Sequence, residues 1–222
     1  MSFLESDIVY NPPTHPYVSI VHRDDDILVV DKPSGLLSVP GRHPSLSDSL
    51  ATRIQKESPH AKMINRLDKD TSGLVLISLN KKAHAHIAKQ FEERTTKKSY
   101  IAIVWGHIEE NEGMIDLPLA IDPDNKPRHR VDHTHGKPAQ TQWRIVERLQ
   151  TQATRMQLTP LTGRTHQLRV HMKSTGHVIL GDSLYAEGKA LDAADRLMLH
   201  AETLAFHHPQ GDEMTFTAPC PF

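Results

Sequence analysis

One short segment carries the clearest candidate for chemistry. Arg66 and Asp68 are separated by a single leucine, and a turn-forming Thr-Ser-Gly at 71–73 and the apolar run 74–77 follow them. This order predicts a loop that enters a buried strand, which would hold the Asp68 carboxylate at the rim of a sheet, where scaffolds commonly place functional groups. Such a carboxylate could serve as a nucleophile or as a base. The alternative is an aspartate that only closes a turn.

Three other segments accompany the Arg66–Asp68 segment along the chain. They are Asp31–Gly41, Lys98–Gly106 and Pro160–Met172, the last of which continues into Gly176–Asp182. Together the four segments resemble the RluA family of RNA pseudouridine synthases in order and approximate spacing, from about Tyr17 to the C-terminus. Four co-linear motifs are far more specific than any one of them. The flanking residues 11–13, 136–141 and 199–202 resemble the family's dual-specificity member more than its larger relatives.

The resemblance implies an α+β fold, with a pseudouridine synthase-like mixed, mostly antiparallel sheet, flanking helices and a central RNA-binding cleft. The order of the predicted elements agrees, because strands and helices do not alternate regularly as they do in a parallel α/β fold. A chain of 222 residues suits one large domain or two small lobes. We expect residues 1–222 to form a single catalytic domain. Since the first strand is predicted near Tyr17, we expect no N-terminal accessory RNA-binding module.

Local signals predict the individual elements. Helices are expected from an N-cap at Ser47 to about Glu57, from an Asn80 cap through Glu93, from a Thr165 cap to Gly176, and at 192–196. Strands are expected at 17–23, 27–31, 73–79, 98–106, 139–149, 153–159, 197–206 and 213–217, with a short strand reaching Asn65. Residues 122–137 contain two prolines, a glycine and many charges, which predicts a long, exposed, basic loop.

The resemblance assigns three catalytic residues. It implies that Asp68 acts near C1′ or C2′ of the uridine ribose, either as a nucleophile or as a base. It implies that Tyr100 stacks on the flipped uracil or takes part in proton transfer at C5, although a core strand tyrosine is the alternative. A buried carboxylate tends to become protonated, and a guanidinium prevents this well. Arg169 matches the family's arginine in that role, against the alternative of a surface helix arginine.

Five further residues are predicted to serve RNA binding. Arg66 matches a position that can enter the RNA stack in place of the flipped base, and a phosphate contact fits an arginine equally well. Arg164, Thr165 and His166 precede the predicted third-motif helix, a natural place for a phosphate. Lys32 belongs to the first motif. We group it with the RNA-binding residues, chiefly as support beside the cleft.

The charge distribution is compatible with an RNA partner despite a net charge of −1. Basic side chains outnumber acidic ones by six to two in both 81–98 and 126–148, and by three to none in 160–180. Acidic residues concentrate in 1–31 and 109–124. Such segregation can create one basic face on a neutral protein, although ordinary solvated surfaces are the alternative.

Several absences are also expected. Isomerising uridine breaks the N1–C1′ bond and makes a C5–C1′ bond without redox change, so no cofactor is required. The histidine spacings and the single Cys220 do not suit zinc, and we predict no metal. The lone cysteine and the lack of a signal sequence or apolar span favour the cytoplasm and no membrane partner. A monomer is the default expectation.

The substrate expected from the resemblance is RNA, namely a tRNA anticodon stem-loop and a hairpin of 23S ribosomal RNA. The alternatives are a family member specific for another tRNA site, a catalytically silent RNA-binding protein, and a glycoside or nucleoside hydrolase with Asp70 as a second carboxylate. Two positions depart from the family pattern. Asn65 stands where the family usually has histidine, and Val178 where it usually has proline.

Overall fold

The computed structural model describes residues 9–222, so the predictions for the first eight residues lie outside the described part. The strands are β1 (Ser19–Arg23), β2 (Ile27–Lys32), β3 (Lys62–Met63), β4 (Ser72–Ser78), β5 (Lys97–Trp105), β6 (Glu112–Asp116), β7 (Leu119–Ile121), β8 (His129–Val131), β9 (Gln140–Arg148), β10 (Ala153–Pro160), β11 (Leu199–His207) and β12 (Glu213–Thr217). The helices are α1 (Leu50–Gln55), α2 (Lys81–Glu92), α3 (Gln167–Ser174) and α4 (Gly188–Asp192).

Ten strands form one sheet, which confirms the predicted α+β fold with a mostly antiparallel sheet. Eight strands follow the order β1-β2-β4-β11-β5-β10-β9-β6, while β12 pairs with β11 and β3 with β4. The β4–β11 pair is parallel and the other pairs in this sheet are antiparallel. All seven residues of β4 are buried, as expected for a central strand that is covered on both faces.

The entry of β4 depends on a close approach between backbones. Gly73 lies at φ +113° and pairs with Ala201 of β11. A Cβ at this position would clash with the Ala201 backbone, its carbonyl oxygen first. Only glycine fits both the positive φ and this contact. The glycine therefore fixes where the preceding loop, which carries Asp68, joins the centre of the sheet.

Two helices begin later than predicted. The N-cap of α1 is Ser49, not Ser47, because Ser49 and Thr52 form a reciprocal capping box. The N-cap of α3 is His166, not Thr165, and its side chain makes no capping hydrogen bond. The Asn80 cap of α2 is confirmed by a hydrogen bond from Ala83 N to Asn80 Oδ1.

Two other local predictions were wrong. The short helix lies at Gly188–Asp192 and not at 192–196. The segment 122–137 is not all loop, because β8 pairs with β7 in a separate two-stranded sheet. We call residues 119–131 the β7–β8 ribbon. Within residues 9–222, no helix is both long and apolar enough to cross a membrane.

Candidate active site

A cleft of about 1160 Å³ opens beside the central strands. Its wall includes the loop before β4, the start of β5, the end of β10 and the first residues of α3. Asp68, Tyr100, His166 and Arg169 all line it. Three sequence-distant segments therefore bring their predicted residues to one place.

The loop that carries Asp68 is held by the Asp31–Gly41 segment. Ser38 donates its hydroxyl to Leu67 O at 2.6 Å and accepts a hydrogen bond from Leu67 N at 3.0 Å. Leu67 is buried between Arg66, which is exposed, and Asp68, whose side chain is 26% exposed. The alternation turns Leu67 into the core and leaves its two neighbours at the cleft.

Lys32 holds the same loop through buried hydrogen bonds. Its ammonium group donates to the carbonyl oxygens of Pro33, Leu36 and Lys69 at 2.7–3.0 Å, and its side chain is fully buried. Burial lowers the pKa of Lys32 to about 7, against opposing effects of Asp70 and Asp68. A buried amine with three backbone acceptors cannot reach RNA. The prediction that Lys32 binds RNA is therefore wrong, and its place is that of a structural support beside the cleft.

Arg169 links the Asp68 loop to a second carboxylate. Its Nη1 lies 3.2 Å from Asp68 Oδ2, while its Nε and Nη2 donate to the two oxygens of Asp182 at 2.8 and 2.7 Å. Arg169 is 3% exposed and Asp182 is fully buried. Burial alone would lower the pKa of Arg169, but hydrogen bonding and charge from Asp182, followed by Asp68, raise it above its ordinary value. A permanent cation is therefore fixed beside the Asp68 carboxylate.

His166 approaches the same oxygen from the other side. Its Nε2 lies 3.8 Å from Asp68 Oδ2, and its Nδ1 lies 2.7 Å from the hydroxyl of Tyr185. Burial lowers the pKa of His166, while the charge of Asp68 opposes the shift. The side chain is only 9% exposed. The ring therefore faces the carboxylate and is poorly placed for a phosphate at the protein surface.

Tyr100 lies on β5 and is partly buried at the cleft. Burial, and then the negative charge of Asp68, raise the pKa of the Tyr100 phenol well above its usual range. The hydroxyl therefore keeps its proton at neutral pH and can act as a hydrogen-bond donor.

The rim of the cleft is basic. Six cationic side chains and two carboxylates line it, namely Arg66, Arg94, Lys97, Lys98, Arg164 and Arg169 against Asp68 and Glu92. Thr165 also lines the cleft and is exposed. The basic segments 81–98 and 160–180 thus contribute to one surface, which suits a polyanionic ligand.

Comparison with known proteins places the chain in a family. Residues 26–174 match the family model described as RNA pseudouridylate synthase. The chain belongs to the RNA pseudouridylate synthase family. Members of this family isomerise uridine to pseudouridine.

Close relatives align with nearly the whole sequence of this family member. It is 50% identical over 214 residues to the dual-specificity RNA pseudouridine synthase RluA of Escherichia coli K12, covering 96% of this chain and 98% of the relative. It is 49% identical over 216 residues to the enzyme of the same description from Pasteurella multocida, covering 97% and 99%.

Solved structures of human synthases share the fold. The structure titled human RNA Pseudouridylate Synthase Domain Containing 1 has a TM-score of 0.78 and 31% identity, covering 99% of this chain and 87% of that one. Domain Containing 4 has a TM-score of 0.72 at 24% identity, covering 91% and 88%.

Asn65, which departs from the family pattern, makes a structural hydrogen bond. Asn65 Oδ1 accepts a hydrogen bond from Leu76 N of β4 at 2.8 Å. The side chain therefore secures the loop to the sheet at the edge of the cleft that it also lines. Asp70, the second carboxylate of the hydrolase alternative, does not line the cleft of this synthase and lies 3.5 Å from Lys69 Nζ.

Sequence reasoning missed Asp182 and Tyr185, which hold Arg169 and His166. One signal was available, because a buried arginine requires compensating acceptors and Asp182 ends the continuation of the third motif. The pairing itself spans 13 residues and follows no local rule.

Proposed function

We propose that this synthase uses Asp68 as its catalytic carboxylate and acts on both a tRNA anticodon stem-loop and a 23S ribosomal RNA hairpin. The observation that carries the assignment is the Asp68–Arg169 contact at the floor of a basic cleft. A module that only bound RNA would gain nothing from placing a carboxylate there, because a negative charge repels phosphate. The carboxylate is useful for chemistry at the ribose.

Each residue has a defined part in the proposed reaction. Asp68, hydrogen-bonded to Arg169, attacks C1′ or removes a proton from C2′, and the N1–C1′ bond breaks. The detached uracil turns and bonds to C1′ through C5. This step breaks the Asp68–C1′ bond of the first route, or returns the proton from Asp68 to C2′ in the second, so the carboxylate is regenerated. The proton lost from C5 passes to N1, so the base remains neutral and atoms balance. Tyr100 contacts the base and is the candidate for the C5 proton transfer.

The target uridine must leave the RNA stem before it can react. Arg66 is exposed at the cleft rim, two residues from Asp68, so it can occupy the space left by the flipped base. Arg164 and Thr165 lie at the same rim and contact the RNA backbone in the proposed complex. His166 and Lys32 are not part of that backbone contact, because both are turned inward.

The two proposed substrates rest on the relatives. Enzymes described as dual-specificity share about half of their residues with this chain and match it nearly end to end. A hairpin offers splayed loop bases and an A-form backbone that a cleft can recognise by shape. The remaining alternative within the family is specificity for a different tRNA site.

In the test, purified protein in buffer alone is incubated with total tRNA and with 23S ribosomal RNA fragments. Both RNAs lack the modification at the start, and pseudouridine mapping then locates new sites. The proposal predicts one new pseudouridine in a tRNA anticodon stem-loop and one in a 23S hairpin. Conversion at a different tRNA position would refute the dual substrate while keeping the enzyme. Tight binding with no conversion in any RNA would favour the silent RNA-binding alternative.

A further inference from the structure

Apart from Arg169, a second set of contacts reaches the catalytic carboxylate, from a buried tyrosine through a histidine. Tyr185 is 5% exposed, and its hydroxyl contacts His166 Nδ1 at 2.7 Å. The same hydroxyl accepts a hydrogen bond from His129 N at 2.8 Å. His166 Nε2 then faces Asp68 Oδ2.

The other hydrogen bond of the Tyr185 hydroxyl indicates which group donates and which accepts in its contact with His166. Burial raises the pKa of Tyr185 to about 12, so the hydroxyl carries its proton at neutral pH. One lone pair is already used by the His129 amide. The hydroxyl proton therefore needs an acceptor, and among residues 9–222 the structure offers His166 Nδ1. A buried hydroxyl proton without an acceptor would be costly.

An acceptor at Nδ1 determines the tautomer of His166. Neutral imidazole has one protonated nitrogen, so a hydrogen bond received at Nδ1 places the proton on Nε2. That N–H is then on the nitrogen that lies 3.8 Å from Asp68 Oδ2, a separation longer than a hydrogen bond. The groups facing the ring are Asp68, Arg169, His129, Asp182 and Tyr185.

The backbone supports a functional role for the ring position. His166 has φ 55° and ψ 16°, a left-handed conformation that few non-glycine residues adopt, although asparagine, aspartate and histidine adopt it more often than others. Such a conformation is unfavourable and persists where the surroundings enforce it. In this conformation the imidazole faces the cleft. It makes no side-chain capping hydrogen bond to the first turn of α3.

We propose that His166, oriented by the Tyr185 hydroxyl, is a positioning residue that presents its Nε2–H to Asp68 Oδ2 and leaves Oδ1 to react at the ribose. This rests on the proposed function, in which Asp68 is the catalytic carboxylate. Arg169 Nη1 contacts the same Oδ2. The Arg169 hydrogen bond at 3.2 Å and the electrostatic attraction of the more distant His166 N–H at 3.8 Å both act on Oδ2, which restrains rotation of the carboxylate and distinguishes its two oxygens.

The β7–β8 ribbon takes part in this arrangement. His129, the first residue of β8, donates its backbone N–H to Tyr185, and its ring lies edge-on to His166 with centroids 5.2 Å apart. The ribbon therefore helps to hold the tyrosine hydroxyl whose proton orients His166.

The first test needs no substrate. Nitrogen-15 spectra of histidine-labelled protein at pH 8 distinguish the two neutral tautomers, and His166→Asn identifies the His166 signal by its loss. The proposal predicts the Nε2–H tautomer, and a mixture of tautomers in Tyr185→Phe. An Nδ1–H tautomer in the unmodified protein would overturn the proposal.

The second test separates chemistry from binding. Tyr185→Phe keeps the ring that packs 5.1 Å from the Arg169 guanidinium and removes only the hydroxyl. We expect the single-turnover rate constant to fall between about tenfold and a hundredfold, as for partial loss of orientation, with the hairpin Kd changed less than about twofold. Tyr17→Phe, which removes a hydroxyl from an exposed tyrosine away from the cleft, is the matched control and should retain the full rate.

A double variant tests whether the two residues act as one unit. Asparagine tolerates the left-handed conformation, so His166→Asn should fold while losing the reach of the imidazole. Combined with Tyr185→Phe, it should be no slower than His166→Asn alone. A full rate in Tyr185→Phe, or multiplied effects in the double variant, would overturn the proposal. Failure of the unmodified protein to form pseudouridine would instead refute the proposed function, and the tautomer spectrum would still decide the role of Tyr185.

Discussion

Arg169 makes two hydrogen bonds to Asp182 and one to Asp68. The fully buried Asp182 is therefore the principal partner of the arginine, and the cleft-facing Asp68 accepts from its third nitrogen, Nη1. Asp182 Oδ1 also accepts from the backbone N–H groups of Leu184 and Tyr185. One buried carboxylate thus fixes both the arginine and the turn that carries the tyrosine.

Replacing Asp182 should damage stability and activity together. Asp182→Asn leaves the buried Arg169 charge undercompensated, and we expect the free energy of unfolding to fall by about 3 kcal/mol. Urea denaturation measures the loss. The control is Glu213→Gln, which breaks an exposed pair with Lys97 at 3.0 Å and should change stability far less. Equal effects of the two substitutions would contradict the role given to Asp182.

Lys32→Met should act on folding and not on RNA electrostatics. The substitution removes three hydrogen bonds to buried carbonyl oxygens, so we expect a loss of about 2–4 kcal/mol in stability. The slope of log Kd against log salt for a hairpin should stay the same, because Lys32 contacts no phosphate. A stable variant with a reduced slope would restore the discarded RNA-binding role.

Arg66→Ala should give the opposite pattern. Arg66 is exposed at the cleft rim, so stability should change by less than about 0.5 kcal/mol. Hairpin affinity should fall, and the salt slope should decrease by about 1 if the arginine contacts a phosphate. Arg23→Ala, at an exposed arginine 4.0 Å from Glu57, serves as the control. An unchanged slope with a lower conversion rate would instead favour insertion of Arg66 into the RNA stack.

His171 should make stability depend on pH. The ring is fully buried, with Nε2 facing Leu117 O and Nδ1 facing the Thr141 hydroxyl, and burial lowers the pKa of His171 below its ordinary value of 6.5. The unfolded chain therefore binds more protons than the folded one just below pH 6.5. Stability is fully present above that pH and is lost as pH falls.

Denaturation at pH 7.5 and 5.5 tests this dependence. His171→Gln should lose less stability between the two pH values than the unmodified protein. His133→Gln, which replaces an exposed histidine, should lose as much stability as the unmodified protein. Some dependence should remain in His171→Gln, because burial also lowers the pKa of His200. Identical pH dependence in all three proteins would contradict the assignment.

The sequence predicted the centre of the sheet well because its signals are local. An unbroken apolar run directly after a turn-forming glycine is typical of a buried central strand, and β4 is one. The convergence of Asp68, Tyr100 and Arg169 came from motif resemblance, since the three residues lie on different elements. The start of α3 was misplaced because Thr165 has the better capping side chain, whereas His166 is held by its contact with the buried Tyr185.

Other features could not be read from local patterns. The β7–β8 ribbon lies within a segment dense in prolines and charges, which signals a loop even though a short pair forms there. The Arg169–Asp182 and His166–Tyr185 contacts join residues through tertiary packing. Lys32 was grouped with the RNA-binding residues through its motif, chiefly as support beside the cleft, and only the three carbonyl oxygens around its amine reveal that support is its place.

The most direct test compares unmodified protein with Asp68→Asn in a single-turnover assay of pseudouridine formation, with hairpin binding measured in parallel. Asparagine keeps the size of the side chain and removes the negative charge. The account predicts conversion by the unmodified protein, no detectable conversion by the variant, and a hairpin Kd changed by less than about threefold, since the carboxylate serves chemistry and not phosphate binding. Conversion by Asp68→Asn at the unmodified rate would contradict the central claim.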